Sequence, residues 1–265
     1  MKSGTTWLYR QLEQHPDIYF SPEKELHYLA WRAGQPGVLS RRYRLYRCIN
    51  AWRRRHSTRR FQLRWYMDYV CGARTPDWYQ RRFRHAPANS YPTDFSNLSA
   101  LLDEADWRAL AAEVNDLRVM YLLRNPLDRI WSHIRSQCRN ADDEQQLQSL
   151  TQYSPLPGLS EETLLRHSRY GANLERMLRA VPDGHVHLAL HDSIASNPIG
   201  VLREVEGFLG IGAHSYADAK LERRINAATP LPRPGWIREH FLPRIESDLE
   251  KLAQYGVSVP TNWYQ

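Results

Sequence analysis

The chain has 265 residues, of which 42% are hydrophobic and 11% aromatic, and its mean hydropathy is -0.65. This composition is ordinary for a globular enzyme with a sizeable core, and no apolar run approaches the roughly 18 to 20 residues that span a bilayer. Because no signal-peptide pattern precedes the first motif, we predict a cytoplasmic protein that does not cross a membrane.

Charge and cysteine content limit which partners the chain can have. The net charge of +7 is uneven, since fourteen arginines lie between Arg41 and Arg84 against Asp68 and Asp77, which gives that block a charge of +12. Such a block favours a polyanionic partner, although a solvated arginine-rich surface explains it equally well. The three cysteines lack the pairing of a disulfide framework and the spacing of a zinc site, so we expect reduced thiols and no metal.

Hydrophobic patterning divides the first part of the chain into a helix, a strand and a region without a clear period. The helix is predicted over residues 5–14, ended by a His-Pro pair, and the strand over Ile18–Phe20. Residues from about 31 to 90 form a basic, variable subregion, which we interpret as an insertion or a substrate-facing part of one domain spanning residues 1–265.

The second half of the chain carries clearer signals. Residues 119–123 are a continuous apolar run, typical of a strand covered on both faces, and Asn125 caps a helix that begins at Pro126. Further elements are predicted in this order: a helix from Ser160 to about Ala180, a strand over 185–190, a helix from Asn197 towards Gly210, a loop over 227–235 and a last helix over 237–254. Alternating strands and helices predict an α/β fold, with a central parallel sheet flanked by helices and ligands at the carboxyl ends of the strands.

The first chemical motif is an anion-binding loop with the sequence KSGTTW. Its members are Lys2, Ser3, Gly4, Thr5, Thr6 and Trp7. The glycine allows close backbone approach, amides and hydroxyls can donate to phosphate oxygens, and the following helix points its positive dipole end at them. Because the lysine precedes the glycine, the loop departs from the GxxxxGK[ST] pattern, which argues against a nucleotide kinase. A capped turn without a ligand is the plainer alternative.

The second motif, RNPLDRIWS, runs from Arg124 to Ser132 and directly follows the apolar strand. Arg124 therefore stands at the carboxyl end of a strand, where open α/β sheets bind ligands, and its guanidinium fork suits a phosphate. An arginine that only pairs with the nearby aspartate and holds the helix start is the structural alternative.

Together the two motifs resemble the signature pair of the sulfotransferases that use 3'-phosphoadenosine 5'-phosphosulfate (PAPS) to sulfate a hydroxyl. KSGTTW resembles their 5'-phosphosulfate loop, and RNPLDRIWS resembles their 3'-phosphate motif. The resemblance implies a P-loop-like three-layer fold in which Lys2 neutralises the leaving phosphate and the residues up to Thr6 hold the phosphosulfate. It implies that Trp7 stacks on adenine, a core tryptophan being the alternative, and that Arg124 and Ser132 hold the 3'-phosphate. No metal is implied.

The attacking hydroxyl must lose its proton, so a base is required. Residues 22–28, PEKELHY, resemble the KE-x-H-[FY] element of carbohydrate sulfotransferases and bacterial relatives, in which the glutamate is the base. The resemblance implies Glu25 as the base, with Lys24 orienting the sulfuryl group. His27 is the competing candidate, because imidazole titrates near neutrality. A solvated, charged turn is the alternative that composition alone favours.

The sequence also departs from the family pattern. His191 and Asp192 stand where cytosolic members often have Tyr-Glu, so the adenine contacts stay open. The family has a buried strand directly before the loop, whereas here the chain starts at Met1 and this first strand is missing or truncated. We expect translation to begin upstream, with an extension of about ten to twenty residues that supplies the strand.

The expected partners are PAPS or 3',5'-ADP, and a hydroxylated acceptor such as an anionic glycan gripped by the Arg41 to Arg84 block. One alternative is a nucleic-acid-binding protein that uses the same block, with Trp52, Trp65 and Tyr66 for stacking. It leaves both motifs unexplained. A nucleotide kinase is the other alternative. The sequence has no readable signature for the acceptor or for the oligomeric state.

Overall fold

The computed structural model of the chain describes residues 3–35, 37–53, 62–138, 141–149, 152–154, 158–217 and 231–265. The chain divides into two compact units, of which one comprises Tyr9–Ser99 and the other comprises Met1–Leu8 with Ala100–Gln265. We call the first the small unit and the second the large unit, and describe each by itself. A single domain over the whole chain stays a prediction.

Helices are the main regular structure of both units. In chain order they are α1 Thr5–Leu12, α2 Tyr28–Arg32, α3 Arg41–Arg53, α4 Leu63–Cys71, α5 Pro76–Gln80, α6 Glu104–Glu113, α7 Pro126–Arg135, α8 Ala141–Ser149, α9 Glu161–Arg166, α10 Tyr170–Leu178, α11 His191–Ser196, α12 Pro198–Leu209 and α13 Gly235–Gln254. Short 3₁₀ turns cover Arg81–Phe83, Asn97–Leu101 and Thr261–Tyr264. Among these helices, none is both long and apolar enough to cross a membrane.

In the part of the chain that the structure describes, each unit contains one pair of parallel strands. In the small unit β1, Ile18–Phe20, pairs with β2, Tyr91–Thr93, and in the large unit β3, Val119–Leu123, pairs with β4, Val186–Leu190. Parallel pairing requires a crossover between the strands, and in both units the connecting chain contains helices. The predicted α/β class with parallel strands is thus confirmed.

The β3–α7 segment forms as the sequence predicts. The apolar run of β3 is largely buried, and the Asn125 side chain accepts hydrogen bonds from the amides of Leu127 and Asp128 at 3.0 and 3.3 Å. Pro126 occupies the first turn, where its missing N–H has no intrahelical partner to lose. The apolar face of α7 then enters the main core of the large unit together with residues of α9 and α13. The fully buried members of this core are Leu127, Ile130 and Ile134 of α7, Leu164 of α9, and Ile237, Phe241 and Ile245 of α13.

The helix predicted from Ser160 to about Ala180 is in fact two helices, α9 and α10. The break accommodates Arg129, which is fully buried and donates from Nε to the Ser168 hydroxyl at 2.8 Å and from Nη2 to the Leu164 carbonyl. After the break, α10 begins with amides that donate to the buried Asp248 carboxylate at 2.8 Å. Both ends of the interruption are therefore satisfied by charged side chains from outside the helix pair.

The basic subregion contains helices that the sequence did not predict. Its inward positions are occupied by arginine as well as by aromatic residues, which hides the helical period. Arg44 is buried in α3 and donates to backbone carbonyls, while the Arg82 guanidinium lies 4.9 and 4.7 Å from the ring centroids of Trp65 and Trp78. Apolar residues on the outward side of α3 obscure the pattern further.

Smaller differences from the predictions also appear. Strand β4 begins at Val186, one residue later than predicted, and α13 begins two residues earlier, at Gly235. Strand β2 and helices α6, α8 and α11 were not predicted. The cysteines form no disulfide in the described chain, and Cys71 is exposed. The proposed strand ahead of the KSGTTW loop and residues 227–230 of the predicted loop lie outside the described residues.

The Arg129 contacts predict a large stability difference between two arginine substitutions. Arg129→Met should lower the free energy of unfolding by about 2 to 3 kcal/mol, because it leaves the buried Leu164 carbonyl without its charged donor. Arg108→Met, which removes an exposed partner of Glu104, should cost less than about 0.5 kcal/mol. Urea denaturation measures both values, and similar losses in the two variants would contradict the structural role of Arg129.

Candidate active site

Two candidate site residues lie side by side at the carboxyl edge of the strands in the large unit. Leu123 and Leu190 are register partners at the ends of β3 and β4, so Arg124 and His191 follow them at the same edge. The carboxyl edge of a parallel sheet is where α/β folds bind ligands. The parallel register therefore brings the start of RNPLDRIWS to the expected position.

The KSGTTW loop packs against this edge through Gly4. The Gly4 carbonyl accepts the amide of Trp7 at 3.0 Å, which starts α1, and Gly4 itself has a φ of +80°. A Cβ atom at this position would lie 2.5 Å from Cδ2 of His191. Only glycine combines that backbone conformation with that approach, so the imidazole ring of His191 fixes how closely the loop can pack.

The charges and polar groups around this contact belong to both motifs. Burial lowers the pKa of His191, and the charge of Arg124 lowers that pKa further, so His191 is neutral at pH 7. Burial raises the pKa of Tyr170, while Arg129, the Ser3 side chain and the Arg124 backbone act in the opposite direction. The structure thus places Ser3 and Gly4 of the first motif with Arg124 of the second, and adds His191 and Tyr170.

The other predicted residues of the two motifs have different environments. Thr5 and Thr6 are half-buried in the first turn of α1, and Trp7 is buried. Ser132 is half-buried on α7 between buried neighbours, on the same helix face as Asp128, four residues earlier. Lys2 lies outside the described residues, and its role stays a prediction.

A C-terminal turn braces this part of the large unit, which the sequence reasoning did not detect. The Asn125 side-chain amide donates to the carbonyl of Asn262 at 2.8 Å, and Trp263 is fully buried. The indole N–H of Trp263 donates to Asp192 at 3.4 Å, and its ring centroid lies 5.8 Å from that of Tyr170. Because these contacts are more than 70 residues apart in sequence, no local pattern signals them.

The small unit carries the predicted base in a strained segment. Glu25 and His27 have φ values of 60° and 55°, in the left-handed region that residues other than glycine rarely adopt. Such strain costs about 1 to 3 kcal/mol per residue and persists only where surrounding contacts enforce it. An exposed charged turn would relax, so this backbone argues against the solvated-turn alternative.

The side chains of this segment converge on the Glu25 carboxylate. Its two oxygens lie 4.0 Å from Nζ of Lys24 and 3.9 Å from Nε2 of His27. Lys24 sits over the rings of Tyr9 and Phe95, with Nζ 5.6 and 5.3 Å from their centroids. Burial lowers the pKa of both Lys24 and His27, and the Glu25 charge partly opposes this for each. The three predicted residues therefore form one electrostatic cluster.

A second set of polar residues holds this cluster in place. The Asn97 side chain donates to the Glu25 carboxylate at 3.4 Å, and the His27 amide donates to the Ser96 hydroxyl at 3.0 Å. Ser96 in turn donates to Asp94 at 2.6 Å, and Tyr79 donates to the other oxygen of that carboxylate at 2.9 Å. Sequence reasoning missed these residues, because they lie more than 50 positions after Glu25 and match no motif that we identified.

Much of the arginine block is engaged within the small unit. Arg44 and Arg82 are buried, Arg47 donates to the buried Glu23 carboxylate at 2.7 Å, and Arg81 pairs with Asp68 at 3.1 Å. The aromatic residues proposed for base stacking differ in exposure, since Trp65 and Tyr66 are buried and only Trp52 is half exposed. Nucleic-acid binding through all three rings is therefore not favoured.

Comparison with known proteins identifies the chain. A family model described as the sulfotransferase family matches residues 1–215. The chain belongs to the sulfotransferase family. This assignment also disfavours the nucleotide kinase alternative. No curated protein matches the sulfotransferase chain significantly.

Solved structures confirm the P-loop-like fold of this sulfotransferase. A sulfotransferase from Alicyclobacillus acidocaldarius is 20% identical with a TM-score of 0.65, and the match covers 100% of this chain and 95% of that one. The sulfotransferase domain of the curacin biosynthetic pathway is 14% identical with a TM-score of 0.55, covering 98% and 95%. The sulfotransferase domain of the Synechococcus PCC 7002 olefin synthase is 17% identical with a TM-score of 0.55, covering 98% and 92%.

The contact between Gly4 and His191 predicts a specific pattern of stability in this sulfotransferase. Gly4→Ala should lower the free energy of unfolding by about 2 to 3 kcal/mol, because the left-handed backbone penalty adds to the clash with the imidazole. In a His191→Ala background the same substitution should cost only about 1 kcal/mol, because the clashing ring is gone. Denaturant unfolding of the four variants gives both values.

Gly184→Ala is the matched control for the Gly4→Ala substitution. Gly184 has a φ of +76°, and a Cβ atom there would meet no heavy atom within 4 Å. It should therefore cost about 1 kcal/mol, from the backbone conformation alone. Equal losses for Gly4→Ala and Gly184→Ala would show that the His191 contact does not restrict the loop.

Proposed function

We propose that this sulfotransferase takes its sulfuryl group from PAPS and transfers it to a hydroxyl of a carbohydrate or another polyhydroxylated acceptor, with Glu25 as the general base. The observation that carries the proposal is the meeting of the two motifs, Gly4 of the first and Arg124 of the second, at the carboxyl edge of β3 and β4. A donor with phosphates at both its 5' and 3' positions uses both motifs at once.

The residues around this edge suit an anionic donor. Amides at the start of α1 and the hydroxyls of Thr5 and Thr6 are donors for the phosphosulfate, and the helix dipole favours negative charge there. Arg124 and Ser132 are assigned to the 3'-phosphate, and Lys2 to the charge that develops on the leaving oxygen. His191, neutral and seated against the loop, supplies a ring without adding a charge.

The transfer itself needs one proton acceptor and a stabilised leaving group. As the acceptor oxygen forms its bond to sulfur, the bond from sulfur to the phosphate oxygen breaks, and 3',5'-ADP departs with the electron pair. The hydroxyl proton passes to the Glu25 carboxylate. Lys24 and Lys2 offset the negative charge of the transferring and leaving groups, and electrostatic stabilisation of this kind is a major source of catalysis.

Glu25 is the preferred base because its environment is organised around the carboxylate. The strained backbone aims the side chain, and Asn97 fixes one of its oxygens. His27 remains the competing base. Its lowered pKa keeps the imidazole neutral and able to accept a proton near pH 7.

The acceptor class rests on the likeness of residues 22–28 to the corresponding element of carbohydrate sulfotransferases. Exposed arginines of the small unit suit an anionic acceptor of this class, whereas the arginines paired internally do not contribute to its binding. Transfer from labelled PAPS to a panel of carbohydrates, phenols and steroids tests this assignment. Transfer only to phenols or steroids would overturn the carbohydrate acceptor and leave the donor assignment standing.

Substitution of the base separates catalysis from donor binding. Glu25→Gln keeps the shape and the Asn97 contact of the side chain but removes its basicity, so kcat should fall at least about 100-fold. The dissociation constant for 3',5'-ADP should stay within about twofold of the wild-type value, because Glu25 is assigned no donor contact. Single-turnover transfer and calorimetry measure the two quantities.

His27→Gln is the matched control for Glu25→Gln. It should retain more activity than Glu25→Gln, because His27 is assigned a supporting position. Full activity in Glu25→Gln together with loss of activity in His27→Gln would assign the base to His27 instead.

A further inference from the structure

Helix α3 of the small unit has an outward face that the catalytic proposal does not use. Three apolar residues recur at helical spacing along it, namely Leu45, Ile49 and Trp52. Their exposed fractions are 48%, 41% and 48%. Large apolar residues in a globular protein are normally buried or scattered singly. A continuous stripe of three on one helix indicates a surface that contacts another apolar phase.

Arginines border this stripe on both sides. At 3.6 residues per turn, Arg41 falls beside Trp52 on one edge, while Arg42 and Arg53 fall beyond Ile49 on the other, and all three are exposed. Helix α3 contains no acidic residue over its whole length. The face is therefore apolar along its centre and positively charged along both margins.

The neighbouring helix α4 also exposes large apolar residues. It packs against α3 and exposes 59% of both Leu63 and Met67, with the exposed Arg64 beside them. The inward sides of both helices are already occupied, as Arg44 and Trp65 are buried in the core of the small unit. The exposed apolar residues therefore do not form part of that core.

We propose that the outward face of α3 binds a membrane surface rich in anionic lipid. Leu45, Ile49 and Trp52 insert among the headgroups, and the flanking arginines contact lipid phosphates. A helix face that bears Leu and Trp between arginines has the side-chain types that interfacial helices place against lipid. The attraction of cationic side chains to an anionic leaflet orients the face and strengthens its binding.

The charge pattern favours an anionic lipid surface over a second copy of the chain and over a polynucleotide. A second copy of the chain would bring arginine margins against arginine margins, which is unfavourable without acidic partners. A polynucleotide would use the arginines but would leave Leu45 and Ile49 in water, since base stacking needs aromatic rather than aliphatic side chains. An anionic lipid surface uses both the charge and the apolar stripe.

Vesicle flotation tests the proposal with the full chain. The protein should float with vesicles of phosphatidylcholine mixed with phosphatidylglycerol, and should remain unbound with phosphatidylcholine alone. The double variant Leu45→Ser with Ile49→Ser should lower the partition coefficient at least about tenfold, because it removes most of the inserting apolar surface. Arg41→Gln with Arg42→Gln should weaken binding to the anionic vesicles and reduce its salt sensitivity.

Matched variants in the large unit control for general effects. Ile199→Ser removes an exposed aliphatic residue, and Arg108→Gln with Arg179→Gln removes two exposed charges, and both should bind as the wild type does. Circular dichroism should show that every variant keeps its helix content, since the substituted side chains are exposed.

Several results would overturn the proposal. These are absence of binding to either vesicle type, equal binding to neutral vesicles, or unchanged binding in Leu45→Ser with Ile49→Ser. A concentration-dependent dimer in sedimentation, lost in that same variant, would assign the face to a second copy. Oligonucleotide binding that displaces the vesicles and persists in that variant would assign it to nucleic acid.

Discussion

The parallel register of β3 and β4 is the constraint on which the site in the large unit depends. Pairing of Leu123 with Leu190 places Arg124 and His191 side by side, and the His191 ring then sets how closely Gly4 can approach. A shift of one residue would turn the side chains of the shifted strand to the opposite face of the pair and separate Arg124 from His191. Two short motifs more than 110 residues apart in sequence thereby meet at one edge of the strand pair.

The small unit holds the carboxylate of Glu25 on a segment with an unfavourable backbone conformation. Glu25 and His27 adopt positive φ values, which the hydrogen bonds from Asn97 and to Ser96 help to hold, while Lys24 lies between two aromatic rings. Rigid placement of a base lowers the entropic cost of reaching the reactive geometry. The strain in this segment is therefore consistent with a catalytic rather than a structural role.

The sequence predicted those features that local chemistry determines. The apolar run of β3, the Asn125 cap and the first turn after Gly4 each need only a few adjacent residues, and all formed as predicted. Helices α3 to α5 of the small unit were missed because Arg44 and Arg82 occupy inward positions while Leu45 and Ile49 face outward. This placement reverses the usual pattern of apolar residues inside and charged residues outside. The contacts of Asn97 with Glu25 and of Trp263 with Asp192 join distant parts of the chain, so they depend on tertiary packing that local patterns do not encode.

The central claim is that this sulfotransferase recognises a nucleotide through its 3'-phosphate as well as its 5' end. Calorimetric titration with 3',5'-ADP and with ADP, which lacks the 3'-phosphate, tests that claim directly. We expect at least about tenfold tighter binding of 3',5'-ADP, since a charge-assisted arginine contact contributes about 1.5 to 3 kcal/mol. Arg124→Ala should lose that preference. Equal affinity for the two nucleotides, or tighter binding of ADP, would contradict it.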